Sequence, residues 1–370
     1  MPDWFDQLDI AAQAQNHPTH RIVAGDGMLL VTERGARVMA CAIPGGLGDP
    51  GDPGGPGGGG VEGNLFFHHE SMLDPDKAAN PFGGDRLWIA PEVGWYWASL
   101  ALAREDAGKH AAIPPQIDPG EYLTDSASPV HAQLSARMEL TDVRDGKKIE
   151  LAVSRQVRAV EAPAGLPDTL KCASFAITNV LLLRGGDDGA VACAWDILQV
   201  PPVGTLICPT TTDPKSVHEP TSYYEPFGDR HVSCDDRAVR FLIDSERKVK
   251  MGIKAEHTTG RMGYYRQLGD GNATLILRFF APQPGEPYPD IPITADDNQR
   301  LGGDTLQAYN HSDGGTSGFG EMEYHDPAVM VGHGPASRHG SSVTHILAGS
   351  DADVRAYGER LLGVPITAIE

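Results

Sequence analysis

Between His131 and Thr141 apolar and polar side chains alternate: Ala132, Leu134, Ala136, Met138 and Leu140 against His131, Gln133, Ser135, Arg137, Glu139 and Thr141. A period of two sends successive side chains to opposite faces, so the segment predicts a strand with one buried and one wet face. Asp145-Gly146 supplies a turn, after which Ile149, Leu151 and Val153 keep the period and specify a hairpin of fixed register. The same reading gives strands over 28–32, 37–43, 173–183, 190–200, 238–243, 248–253, 273–281, 319–325 and 342–347. Only the two ends read as helix. Trp4, Leu8, Ala11 and Ala12 share one helical face, and near the other end Ser350 can cap the amide of Asp353 ahead of a stripe of Val354, Tyr357, Leu361 and Leu362 that stops at Gly363. Many strands punctuated by glycine and proline predict a sandwich or barrel.

The 370 residues are 40% hydrophobic and 22% charged, enough to bury a sizeable core, and the 44 glycines and 29 prolines imply many turns. Over 44–60, 14 of 17 residues are Gly or Pro. That tract predicts a mobile surface loop within a single domain spanning 1–370, because the segment before it is too short to fold comfortably alone. The formal charge of −20 comes without a basic cluster, which argues against nucleic acid and against an anionic membrane surface as partners. No apolar run reaches membrane-spanning length and the first residues lack a signal-peptide pattern, so a cytoplasmic location is expected. Five scattered cysteines without a C-x-x-C pair predict neither a disulfide framework nor a zinc ribbon. A G-x-S-x-G elbow, a P-loop and an H-E-x-x-H motif are all absent.

The candidate chemistry lies in a few segments. In Phe319-Gly320-Glu321-Met322-Glu323-Tyr324-His325 a strand would project Glu321, Glu323 and His325 from one face, with neighbours ~6.5–7 Å apart. Two carboxylates and an imidazole so placed can divide acid and base roles, or hold a metal; the competing reading is a solvated strand face. His311 sits in the polar, glycine-rich stretch 309–315, which reads as a loop able to present it at the mouth of a site. The run 82–97 gathers Trp88, Trp95, Tyr96 and Trp97, flat apolar faces of the kind that stack on sugar rings, with Arg86 and Glu92 for directional hydrogen bonds. Such runs also build cores. Trp195 and Gln199 share a strand face that ends at Pro201-Pro202, and Lys250, Lys254, His257 and Tyr264 form a further polar cluster. His68-His69-Glu70 resembles a metal-ligand fragment, although adjacent residues on a strand point apart.

The order of these pieces carries a resemblance. Gly83-Gly84-Asp85-Arg86-Leu87-Trp88 with Pro91-Glu92 is followed by a Trp195 strand closing on Val200-Pro201-Pro202 and Gly204. Gly303-Asp304 and Tyr309-Asn310-His311 then lead to Gly320-Glu321, Glu323 and Pro327. Over roughly residues 25–348 the chain resembles the galactose-mutarotase-like superfamily, and its uncharacterised bacterial branches more than aldose 1-epimerase itself. The resemblance implies an all-β fold, a large antiparallel β-supersandwich with short terminal helices and a carbohydrate site on its concave face. In aldose 1-epimerases a late glutamate takes the proton of the anomeric hydroxyl and a histidine protonates the ring oxygen. Carried over by position, this makes Glu323 or Glu321 the base; the mid-chain Asn-His-Ser-Tyr-Phe motif is missing and Trp195 stands near its place, so the candidate acid is His311, whose Asn310-His311-Ser312 triplet lies elsewhere in the chain, with His68 or His69 as alternatives. Arg86, Trp88, Glu92, Trp195, Gln199 and Lys254 are the candidates for holding the sugar.

The expectation is therefore a carbohydrate-active protein, an epimerase or isomerase of a monosaccharide or small glycoside, working without a cofactor. Two alternatives stand beside it. One is a sugar-binding protein without catalysis; the other is a metal-assisted lyase or hydrolase with His325 and the two glutamates, or His68 or His69, as ligands to a divalent ion. The sequence carries no signal for an oligomeric state.

Overall fold

The alternating segments close into two antiparallel sheets. The chain is described by a computed structural model over residues 3–43, 65–66, 83–97, 101–102, 113–211, 220–224, 226–228, 230–293, 295, 299–312 and 318–369. The Gly/Pro-rich tract 44–60 and the pair His68 and His69 lie outside these residues.

The first sheet runs, edge to edge, β1 (Thr19–Ala24), β2 (Gly27–Thr32), β3 (Arg37–Ala42), β4 (Asp85–Ala90), β9 (Val191–Val200), β18 (Phe319–His325), β17 (Leu306–His311), β14 (Val249–Ile253) and β11 (Thr221–Ser222), with β19 (Val329–Met330) also paired to β9. The second runs β12 (Val232–Cys234), β13 (Ala238–Ile243), β10 (Gly204–Pro209), β15 (Arg261–Gln267), β16 (Asn272–Phe280), β20 (Ser337–Ser350), β8 (Lys171–Gly186), β7 (Lys148–Ala159), β6 (His131–Thr141) and β5 (Leu123–Ser128). The β6–β7 hairpin has the expected register, with His131 opposite Arg158 and Thr141 opposite Lys148. Helix α1 (Asp3–Ala14) buries Phe5, Leu8 and Ala12, a face slightly rotated from the one the sequence suggested. A short helix, α2 (Glu92–Trp95), follows β4, and α3 (Asp351–Leu362) carries the expected Ser350 cap and ends at Gly363, whose φ of 78° suits glycine.

Every residue of β4, β9, β14 and β18 is buried, so these strands do not alternate between core and water. Both faces of the first sheet are covered there. One face packs on the second sheet: Tyr324 stacks on Phe280 with ring centroids 4.9 Å apart, and a Cβ at Gly320 would come within 2.4 Å of Ile243. Only glycine permits that approach.

The interface between the sheets also holds charge. Asp85 on β4 and Asp196 on β9 meet Arg155 on β7 and Arg278 on β16, all completely or almost completely buried. Arg155 Nη2 lies 2.7 Å from Asp85 Oδ1 and its Nη1 2.5 Å from Asp196 Oδ2; Arg278 Nη1 lies 2.9 Å from Asp196 Oδ1, and its Nη2 binds Asp85. Asn179 donates to Asp196 at 2.9 Å and accepts from Arg155 at 3.0 Å. Two cations and two anions thus balance in the low-dielectric interior, the condition under which buried charge is tolerated.

Candidate functional site

The other face of the first sheet holds the candidate chemistry, and strand register assembles it. Beside β18, Glu321 is opposite Gln199 on β9 and Tyr309 on β17, Glu323 is opposite Ile197 and Gln307, and His325 is opposite Trp195. One strand farther out, Arg86 pairs with Ile197 and Trp88 with Trp195 on β4, while Lys250 on β14 pairs with Tyr309. Directly opposed residues share a face. Five strands remote in sequence therefore deliver one polar cluster.

Glu321 Oε1 accepts from Arg86 Nη2 at 2.9 Å and from Gln199 Nε2 at 2.8 Å. Glu323 Oε2 accepts from Trp195 Nε1 at 2.8 Å and lies 3.2 Å from Lys250 Nζ. The same ammonium lies 3.4 Å from Glu92 Oε2, and Tyr224 donates to Glu92 Oε1 at 3.0 Å. Asp290 holds α2 in place by accepting from the Glu92 amide at 2.7 Å, and its other oxygen accepts from Gln307 at 3.0 Å.

Burial pushes the Glu323 carboxyl up from 4.5 to about 8; Glu321 and Glu92 add to the rise and Lys250 opposes it. Burial works against the charge on Lys250, but Glu323 and Glu92 more than offset it and hold the ammonium above its ordinary value. His325 is kept well below the usual imidazole range by burial and by Lys250, so it stays neutral at pH 7. Its ring stacks on Trp195 at 5.2 Å.

Several buried polar atoms on this face have no hydrogen-bond partner among the described residues: Arg86 Nε and Nη1, Gln199 Oε1, Gln307 Oε1, Glu323 Oε1 and His325 Nε2. Unpartnered buried polar atoms are a minority in folded proteins, and each calls for an explanation such as a bound water, an ion or a catalytic role.

The structure brings Arg86, Gln199, Trp195, Glu321 and Glu323 together, joins Glu92 to them through Lys250, and sets His325 behind Trp195. Glu321, Glu323 and His325 share one face, as the sequence suggested, but that face is buried rather than solvated. The stretch around His311 is strand as far as residue 311, not loop; its ring stacks on Phe319 at 4.4 Å and its Nδ1 lies 3.0 Å from the Tyr309 hydroxyl, one rung beyond Tyr309. The tryptophans are not open stacking surfaces. Trp88 carries Arg86 at 4.0 Å and Tyr96 at 5.0 Å, with its Nε1 donating to Asp118, and Trp195 carries Lys250 at 4.3 Å and His325. Lys254, at the end of β14, is half exposed and lies 3.7 Å from Asp304, away from the glutamates; Tyr264 belongs to the second sheet, so the polar cluster read around Lys250 divides.

The sequence points to Lys250 only as one of a polar cluster with Lys254, His257 and Tyr264, and gives no sign of Gln307 or Asp290. For Lys250 a signal existed: a lysine alternating with Val249, Met251 and Ile253 on a strand must face something polar. Among the described residues no three His, Cys, Asp or Glu side chains are grouped so as to hold a metal ion. No helix among them is long and apolar enough to cross a membrane.

Comparison with known proteins adds the following. A protein-family profile described as a family of unknown function, DUF6786, matches residues 61–370. No curated protein matches the sequence. Among solved structures, the chain is similar to a galactose mutarotase-like protein from Lactobacillus casei (8% identity, 89% of this chain and 100% of that one, TM-score 0.47). It is also similar to a GalM/aldose epimerase homologue from C. elegans (8% identity, 90% and 100%, TM-score 0.44) and to a galactose mutarotase related enzyme from Lactobacillus acidophilus (8% identity, 89% and 97%, TM-score 0.43).

Proposed function

We propose, for a chain that belongs to the family of unknown function DUF6786, that the polar face of the first sheet binds a neutral sugar and epimerises or isomerises it by proton transfer through Glu323 and Glu321. The observation that carries this reading is the set of orphaned buried atoms. Arg86 Nε and Nη1 can only donate, whereas Gln199 Oε1 and Gln307 Oε1 can only accept. A phosphate or carboxylate offers acceptors alone and an ammonium donors alone; hydroxyl groups do both, and a ring bearing several of them matches the mixed set.

The two glutamates differ in a way that suits acid–base work. Glu321 is held as an acceptor by Arg86 and Gln199, while Glu323 carries a proton near neutral pH and keeps Oε1 free of protein partners. Pairs of titratable groups in contrasting environments divide the acid and base roles. In a ring opening, Glu323 gives its proton to the ring oxygen while Glu321 takes the proton of the anomeric hydroxyl; the bond from the anomeric carbon to the ring oxygen breaks and an open-chain carbonyl forms. Rotation and the reverse transfers close the ring on its other face. Lys250 and Glu92 complete the wall beside Glu323.

The test is thermal unfolding against monosaccharides, uronates and small glycosides, each with and without chelator, since a ligand that binds only the native state raises its midpoint. A neutral sugar is expected to raise it irrespective of chelator, and Arg86→Met to lose the rise. If no neutral sugar moves the midpoint, the reading fails. With a binding sugar in hand, anomeric or epimeric exchange followed by NMR is expected in the wild type and lost in Glu323→Gln.

A further inference from the structure

Lys250 is a buried cation in contact with two carboxylates that come from separate parts of the chain. It is 2% exposed, and its ammonium lies 3.2 Å from Glu323 Oε2 and 3.4 Å from Glu92 Oε2 while resting 4.3 Å from the centre of the Trp195 ring. Trp195 Nε1 approaches the same Glu323 oxygen at 2.8 Å. Lysine and tryptophan therefore both engage Oε2 and leave Oε1 without a partner among the described residues. A carboxylate gripped on one oxygen by two donors from different strands cannot turn freely, so the other oxygen is presented in a fixed direction.

We propose that Lys250 is the positioning residue of Glu323: it fixes which oxygen exchanges the proton and sets the pH at which the exchange occurs, while Glu92 tempers it by sharing the ammonium. This rests on the reading of Glu323 as the proton-exchanging group. Lys250 is the cation in contact with the Glu323 carboxylate; Arg86, on β4, is engaged with Glu321. The other groups acting on Glu323 are Glu321 on its own strand, Glu92 from α2 and the phenols of Tyr309 on β17 and of Tyr224; Asp290 acts on Lys250, and His325, two residues along the strand from Glu323, is neutral. With Lys250 gone, those that carry charge nearby are mainly anionic. A unit charge of opposite sign within about 4–6 Å moves a carboxyl by about 1–3 pH units.

Difference infrared spectroscopy of the full-length protein without any sugar tests this, with the carboxyl band of Glu323 assigned by its disappearance in Glu323→Gln. In Lys250→Met the midpoint of that band is expected to rise by at least about one pH unit, a tenfold change in proton affinity, and in Lys250→Arg to return toward the wild type. Glu92→Gln is expected to lower it. Loss of packing does not produce shifts of opposite sign from the two partners of one ion bridge, so the pair separates tuning from general damage, and Glu92→Gln tests the idea even if Lys250→Met does not fold. An unmoved midpoint in Lys250→Met, or a rise in Glu92→Gln, overturns the proposal. Because no sugar is present, the proposed substrate can be wrong while this result stands, and the reverse.

Discussion

Asp85 and Arg86 are adjacent on β4, and Trp195 and Asp196 are adjacent on β9, yet each pair divides between two very different charged clusters on opposite faces of one sheet. Inward, Asp85 and Asp196 meet Arg155 and Arg278 in a balanced quartet whose polar atoms, apart from Arg155 Nε, find partners. Outward, Glu321, Glu323 and Glu92 outnumber Arg86 and Lys250, and atoms on four of the strands are left unpaired. Both clusters set carboxylates against cations beneath the surface. Completeness separates them: the inward network is closed apart from one nitrogen, and the outward one leaves several polar atoms without a partner among the described residues.

The contrast can be broken at either end. The largest effect belongs to the quartet, where Asp196→Asn or Arg155→Met leaves uncompensated charge between the sheets and is expected to cost about 3–5 kcal/mol in chemical denaturation. Glu323→Gln has the opposite sign. Because the Glu323 carboxyl is raised from 4.5 to about 8 in the folded protein, the native state retains a proton that the unfolded chain releases. The resulting stability is fully present below pH 4.5 and is lost as pH rises to about 8. The variant, which has no such group, should gain on the wild type across that window, by about 1 kcal/mol or more at its upper end, the usual scale for relieving a strained active site. A constant difference from pH 4.5 to 8 would mean that Glu323 does not retain its proton in the folded protein. Trp195→Phe keeps the aromatic contact but removes one hydrogen bond, and denaturation should register about 1 kcal/mol. Lys254→Ala, at the half-exposed end of β14, should stay within about 0.5 kcal/mol and leave sugar-induced stabilisation intact, whereas Arg86→Met should abolish it.

Much of the architecture was legible in the alternation of side chains. The β6–β7 hairpin and both capping residues of α3 follow from local pattern, because a half-wet strand and a capped helix leave their period in the sequence. Strands covered on both faces show less alternation, and two of them went unread. Asp85–Ala90 hid inside an aromatic run and Leu306–His311 inside a polar one, since neither needed to alternate between core and water. The site was legible in the same uneven way. Glu321, Glu323 and His325 share a strand, so their spacing announced a common face. Lys250 meets Glu323 only because β14, β17 and β18 lie side by side, and no local spacing encodes that neighbourhood. His311 drew notice through its own triplet, but what decides its surroundings is the rung it occupies beyond Tyr309.

Strand β20 occupies the gap between β8 and β16, pairing with one from Ser337 to Ala348 and with the other from Ser342 to Ser350. Its partner β8 is made some way earlier in the chain, so during synthesis the second sheet exists as two unjoined pieces until residues 337–350 have cleared the ribosome. Two long facing edges stay open throughout that interval, and contacts of such large sequence separation form slowly. The nascent chain is for that time a ready template for foreign strands, and its yield in the cell should depend on chaperones that shield those edges more than on the final stability of the folded sheets.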